Sequence, residues 1–332
     1  MDIENPDISN QYDGIFSGLP EGFEMRALDL FERQYAGNAL YRSFVDSLRG
    51  GRQRVSRLEN IPFLPVSFFK TEEVKTGDFI PEIVFESSGT TGMQTSRHFL
   101  RSATLYRESF LRGFERFYGP AGDYCMLGLL PAYLERSGSS LVYMVDELIR
   151  RSHHPQSGFY LYALDQLHQV LSGLEKRKQK TILIGVSFAL VDFAAQYPLH
   201  LEHTIVMETG GMKGRRREMT RGELHDTLTR AFSLEKIHSE YGMTELLSQA
   251  YSAGNGLYRP VSWLKPMVRM EDDPLEVSAT GEGLLNLIDL ANIDSCAFIA
   301  TDDLARVHPD GSFEVLGRMD NSDLRGCSLL AV

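Results

Sequence analysis

Cysteine is scarce in this chain: three among 332 residues, Cys125, Cys296 and Cys327, widely separated and odd in number. That pattern argues against a disulfide framework and fits free thiols in a reducing compartment. Long hydrophobic runs are missing as well. The longest apolar stretch, Ile182 to Ala195, is broken by Ser187 and Asp192 and falls short of the roughly 20 residues that cross a bilayer. Positive charge is in deficit, with 34 Lys+Arg against 45 Asp+Glu and a net charge of −11. An excess of that sign repels phosphate backbones and anionic lipid, so nucleic-acid or membrane-surface binding is not expected to be the main business. Residues 1–10, MDIENPDISN, hold neither a basic nor an apolar segment, so no secretory signal is read there and a cytoplasmic location is expected. Internal repeats and low-complexity linkers are absent too.

What is present reads as an ordinary globular protein, 42% hydrophobic and 24% charged, long enough for one large domain or two. The first 60 residues read as helical, with Phe31, Tyr35, Tyr41, Phe44, Val45 and Leu48 at three- and four-residue spacings and Gly50-Gly51 as the stop. The next segment, IPFLPVSFFK (Ile61 to Lys70), carries two prolines that favour extended chain over helix. From Ile80 strands alternate with helices. Strands are predicted at Ile80 to Glu86, Arg97 to Arg101, Tyr124 to Leu130, Thr181 to Val186, His203 to Glu208 and Leu234 to Glu240. Continuous apolar strands separated by helices predict an α/β fold, a mostly parallel sheet covered on both faces. The last third shortens into Leu284 to Leu290, Cys296 to Ala300 and a hairpin over Arg306 to Gly317, which predicts a small antiparallel β-subdomain on that core.

Four segments combine glycine, hydroxyl and acid, each predicted to follow a strand, where open α/β sheets collect ligands. Ser87-Ser88-Gly89-Thr90-Thr91-Gly92 lets backbone N–H groups and hydroxyls converge on an anion, yet it is no Walker A loop because no Lys-Ser/Thr follows. Taken alone it reads equally well as a tight hairpin turn. Glu208-Thr209-Gly210-Gly211-Met212 allows close approach of a flat ring, although an ordinary strand exit has the same composition. Ser239 to Glu245 offers Tyr241 for stacking, Thr244 for phosphate and Glu245 for Mg²⁺, against the plainer view of a core tyrosine and a helix-opening acid. Thr301-Asp302-Asp303 and Gly317-Arg318-Met319-Asp320 offer a carboxylate for ribose hydroxyls and an arginine for phosphate, or simply turn chemistry.

In order and type the four resemble the motifs of the adenylate-forming superfamily: acyl-CoA ligases, peptide-synthetase adenylation domains and phenylacetate-CoA ligase-like enzymes. The likeness tightens in IPFLPVSFFK, FESSGTTG, YLERSGSSLVYM, LIDLANIDSCAFIATDDLA and FEVLGRMDNSDLRGC, which resemble the LuxE-type acyl-protein synthetases. It covers roughly residues 60 to 332. The resemblance implies that Ser87, Ser88, Gly89, Thr90, Thr91 and Gly92 wrap the ATP phosphates. By the same resemblance Gly210, Gly211 and Met212 border adenine, with Tyr241, Gly242 and Met243 beside it. Thr244 would contact phosphate, Glu245 hold Mg²⁺, and Asp303 the ribose with Arg318 near. Where the family loop continues to a lysine, this chain has Met93, Gln94, Thr95 and Ser96, and Arg97 is the first basic residue.

The chemistry this implies is activation of a carboxylic acid, expected to be a long-chain fatty acid, as an acyl-adenylate. The resemblance then passes the acyl group to a cysteine near the C-terminus, matched here by Cys327, for delivery to a partner reductase or carrier. Arg325 beside it would raise the thiolate fraction. Cys125 and Cys296, in apolar strands, read as core. Two other readings stay open: a ligase using coenzyme A or a carrier as acceptor, and a nucleotide-binding subunit that has lost catalysis. The domain expectation is one adenylating domain over 1–316 and a short tail over 317–332 in place of the mobile domain of acyl-CoA ligases. His98, just past the loop, is a candidate contact to phosphate or carboxylate. Lys213 to Arg217 and His153-His154 read as solvated surface.

Overall fold

The computed structural model describes residues 14–16, 22–49, 54–87, 94–130, 138–210 and 219–319. Its helices are α1 (Phe23–Gly37), α2 (Ala39–Arg49), α3 (Phe68–Thr71), α4 (Ala103–Tyr118), α5 (Ser140–Ser152), α6 (Leu164–Lys176), α7 (Ser187–Gln196) and α8 (Arg221–Phe232). The first strands are β1 (Leu64–Pro65), β2 (Ile83–Glu86), β3 (Arg97–Leu100), β4 (Cys125–Leu129), β5 (Gly158–Phe159), β6 (Thr181–Val186), β7 (Thr204–Thr209) and β8 (His238–Tyr241). They are followed by β9 (Ala250–Ser252), β10 (Leu257–Pro260), β11 (Leu264–Arg269), β12 (Val277–Ser278), β13 (Gly281–Asp289), β14 (Phe298–Val307) and β15 (Phe313–Arg318).

The α/β class is as the sequence implies. Strands β5-β4-β6-β7-β8 pair in parallel, and every residue of β4 and β6 is buried, as a sheet covered on both faces requires. The step from β4 to β5 runs opposite to the steps β6 to β7 to β8. Right-handed crossovers therefore put α5 on one face and α6, α7 and α8 on the other. His168 stacked on Tyr197, and Phe193 against Phe232, confirm that the last three helices share a side.

The antiparallel strands are not a separate attachment. β8 pairs antiparallel with β9, and the order continues β10-β15-β14-β13-β11-β12, so thirteen strands form one sheet. β1 joins it in parallel along Ile299 and Ala300, while β2 and β3 form a separate hairpin. Local chemistry sets the helix ends. Ser102 accepts from the Thr104 N–H to open α4, which closes at Gly119 with φ 81°. A Thr220/Glu223 capping box opens α8.

Three expectations need correction. The IPFLPVSFFK segment is extended only at Leu64–Pro65 and then turns into α3, because both prolines precede the helical residues. Cys296 precedes β14 instead of opening it. Thr301-Asp302-Asp303 is not a turn after a strand: it lies inside β14, which runs on to Val307 with a register shift between Leu304 and Ala305. Apolar flanks on both sides of the acids explain why two short pieces are in fact one strand. No helix among the described residues is long and apolar enough to cross a membrane.

Candidate active site

The carboxyl ends of β6, β7 and β8 deliver Ser187, Thr209-Gly210 and Tyr241 to one edge of the parallel sheet. The Ser187 hydroxyl donates to the Gly210 carbonyl at 2.6 Å, fixing the chain where it leaves β7. Glu208 stands behind it, 3.6 Å from His225 Nε2 and 4.0 Å from Arg221 Nε. Arg221 in turn lies over the Tyr258 ring at 5.1 Å and donates to the Val315 carbonyl.

Tyr241 and Asp303 meet directly. The tyrosine hydroxyl donates to Asp303 Oδ2 at 2.7 Å, and its ring packs edge-on against Phe313 and Tyr258. Burial raises the Asp303 carboxyl above its ordinary value, opposed by the Tyr241 hydrogen bond and by Arg318. Burial likewise pushes the Tyr241 hydroxyl well up, so it remains a donor. Within β14, Thr301 Oγ1 accepts from the Asp303 N–H at 3.1 Å. Arg318 is the register partner of Asp303 and reaches Asp302 Oδ2 at 3.9 Å.

The turn after β8 carries the other acid. Glu245 is 5% exposed, and burial raises its carboxyl above the ordinary range. The Ser96 hydroxyl, Arg318 and Lys70 favour its ionised form. Ser96 also closes the base of the glycine-rich loop: its carbonyl accepts from the Ser87 N–H at 3.0 Å and its N–H donates to Ser87 Oγ at 2.9 Å. Ser87 therefore sits beside Glu245 through one shared neighbour. Ser88, Gly89, Thr90, Thr91, Gly92, Gly211, Met212 and Cys327 lie outside the described residues. Arg97 rests over the Phe99 ring at 5.3 Å, on the hairpin face away from buried Ser96 and His98.

The turn itself is held from beneath. Asp289 accepts from the Leu247 and Ser248 N–H groups, the Ser248 hydroxyl and the Ala291 N–H. Complete burial still lifts its carboxyl to about 6. On the other face of β8, Glu240 accepts from the Thr209 hydroxyl at 2.5 Å, and burial raises it to about 7 with Glu208 adding to the rise. A Cβ at Gly242 would stand 2.5 Å from Glu240 Oε1, so the Glu240 carboxylate would have to move away from it. The Thr244 carbonyl lies 2.8 Å from His98 Nδ1.

Of the residues singled out in the sequence, the structure places Tyr241, Asp303 and Arg318 side by side and Ser87 next to Glu245 through Ser96. Sequence reasoning does not anticipate Lys70, Ser96, Asp289 or Asn292, which lie outside any glycine-rich motif. His98 is corrected: it is 1% exposed and burial lowers its pKa to about 4, so it meets the Thr244 backbone as a neutral ring. Cys125 and Cys296 are core, as expected, with burial raising both thiols and Cys296 to about 12. Among the described residues no group of three His, Cys, Asp or Glu side chains stands ready for a metal. A single buried carboxylate suits Mg²⁺ all the same, since that ion takes one or two carboxylates and completes its shell with phosphates and water.

The fold of this chain is similar to that of solved structures of two CoA ligases and of MatB. A 2-hydroxyisobutyryl-CoA ligase in its postadenylation state is similar over 91% of this chain and 68% of its own, with a TM-score of 0.67 and 14% identity. ATP-bound MatB from Rhodopseudomonas palustris is similar over 71% of this chain and 47% of its own, TM-score 0.53, 17% identity. A long-chain-fatty-acid-CoA ligase from Archaeoglobus fulgidus is similar over 74% and 53%, TM-score 0.51, 14% identity. The chain thus spans about half the length of two of these proteins. No family model matches the sequence, and no curated protein does.

Proposed function

We propose that this protein activates a carboxylic acid with ATP, forming an acyl-adenylate and pyrophosphate. The observation that carries the reading is the Tyr241–Asp303 hydrogen bond at the carboxyl edge of the sheet, with Glu245 tied through Ser96 to the loop that starts at Ser87. A carboxylate is a poor electrophile for a thiol because its leaving group would be oxide. Attack of the acid on the α-phosphorus of ATP replaces oxide with AMP, but it brings two anions together. Asp303 would accept the ribose hydroxyls, with Tyr241 holding the carboxylate and lining the adenine side together with Gly210, Gly242 and Met243. Residues 87–92 would surround the phosphates, and Arg318 and Lys70 supply positive charge beside them. Mg²⁺, when held by Glu245, would neutralise developing phosphate charge.

The acid is read as a fatty acid, in keeping with the Archaeoglobus ligase among the neighbours. The acceptor is read as the Cys327 thiol, which would carry the acyl group as a thioester to a partner protein. The test is incubation with ATP and labelled acids, followed by hydroxylamine treatment of the isolated protein. Hydroxylamine-labile label that persists in Cys327→Ser overturns the acceptor while leaving activation intact. A second reading, transfer to coenzyme A, is favoured by two neighbours that are CoA ligases. Label on coenzyme A instead of protein decides for it. Absence of acid-dependent ATP–pyrophosphate exchange decides for a nucleotide-binding subunit without catalysis.

A further inference from the structure

On the proposed reading, on which this inference rests, the Thr244 hydroxyl and Glu245 carboxylate face the phosphates and Mg²⁺. Neither residue belongs to a strand or helix, for β8 ends at Tyr241 and β9 begins at Ala250. Two side chains from distant parts of the sequence hold their backbone instead. His98 Nδ1 lies 2.8 Å from the Thr244 carbonyl oxygen, and Asn292 Nδ2 donates to the Glu245 carbonyl oxygen at 2.8 Å. His98 Nε2 stands 3.0 Å from Asn292 Oδ1, so the two grips touch, and the single N–H of the neutral ring serves either the Thr244 carbonyl or Asn292 Oδ1. Both side chains come from rigid surroundings. His98 sits in β3 with the Phe69 ring edge-on to it at 5.8 Å. The Asn292 backbone is pinned by Gln34 Nε2 on α1, at 2.8 Å from its carbonyl, and by its own N–H to the Asp289 carbonyl.

We propose that His98 and Asn292 are positioning residues for nucleotide activation. By fixing the consecutive carbonyls of Thr244 and Glu245, they fix both peptide planes and hence the directions in which the two side chains leave the backbone. Pre-set direction matters here because a group placed about 1 Å away from its productive position loses much of its effect on a reaction. A brace of this kind differs from plain structural support in what it governs: the Mg²⁺-dependent part of nucleotide binding, through Glu245.

The test uses the full chain with His98→Ala, His98→Asn and Asn292→Ala, and Mg-ATP and metal-free ATP as probes. Binding is read by calorimetry, exchange by acid-dependent ATP–pyrophosphate turnover, and folding by thermal melts. His98→Ala is expected to weaken Mg-ATP binding and lower exchange kcat by about tenfold each, with the acid KM unchanged and metal-free ATP binding little altered. His98→Asn, whose amide N–H occupies the place of the ring Nδ1–H, restores most of the loss. The double alanine variant loses little more than either single one, as two parts of a single brace should. Equal losses with and without Mg²⁺, no rescue by asparagine, or wild-type binding by folded His98→Ala overturns the brace. If His98→Ala does not fold, Asn292→Ala and His98→Asn carry the same comparison. Wild-type exchange together with unaffected variants removes the brace alone. Mg-ATP binding by wild type without exchange for any acid removes the adenylation reading alone, and the brace is then judged from binding.

Discussion

The Tyr241 hydroxyl donates to Asp303 Oδ2 across 2.7 Å, tying the end of one central strand to the interior of another. Removing the donor leaves a buried carboxylate short of one partner. Tyr241→Phe is therefore expected to weaken ATP binding about tenfold, and Asp303→Ala to weaken it further, because it also removes the ribose acceptor. Equilibrium binding of ATP to the two variants checks the order. Equal affinity of Asp303→Ala and wild type removes the ribose assignment.

Gly242 faces a filled space. A methyl group there would meet Glu240 Oε1 at 2.5 Å and Gln249 Cγ at 3.6 Å. Gly242→Ala is expected to cost about 1 kcal/mol of stability, because the carboxylate must shift and strain its hydrogen bond from Thr209. Adding Glu240→Ala should return part of that cost. Urea unfolding of the single and double variants measures both, and purely additive effects would contradict the contact.

Glu240 makes stability depend on pH. Its folded pKa of about 7 lies above the ordinary 4.5, so folding favours the protonated form. Its contribution is complete below about 4.5 and declines as pH rises to about 7, flattening beyond. Glu240→Gln copies the neutral form and keeps an acceptor for Thr209. The variant is expected to match wild type near pH 4.5 and exceed it at pH 8 by up to about 3 kcal/mol. Denaturant unfolding at the two pH values decides, and a gain at pH 4.5 as large as that at pH 8 would refute the assignment.

Cys125 and Cys296 are buried, and burial raises both thiols. Their thiolate fraction at neutral pH is small, so alkylation by iodoacetamide should wait for unfolding. Peptide mapping after brief labelling of the native protein is expected to find neither residue modified. Rapid native labelling at Cys296 would show that the loop before β14 opens.

Much of this was legible in the residues, for identifiable reasons. Thr181 to Val186 reads as a strand because six consecutive residues bury both faces. Tyr241, Glu245 and Asp303 stand out because acid and aromatic residues beside glycine or threonine are unusual at the ends of apolar runs. The joining of the two halves was not legible, since pairing of β10 with β15 depends on chain contacts far apart in sequence. Asn292 was invisible for a similar cause: its partners Glu245 and His98 lie far along the chain, and nothing local marks the amide as anything but a loop residue. Lys70 escaped notice because prolines suggested extended chain where α3 forms.

The long sheet also ends safely. Its two borders are two-residue strands, Gly158–Phe159 beside β4 and Val277–Ser278 beside β11. Next to the first border the Ser157 hydroxyl accepts from the Met126 N–H at 2.9 Å, and the Tyr160 N–H donates to the Gly128 carbonyl at 2.9 Å. Long unpaired strand edges are templates for association with other chains, and truncated, side-chain-capped edges offer little backbone to copy. Among the described residues, borders this short leave few backbone groups free to pair with a second copy of the sheet.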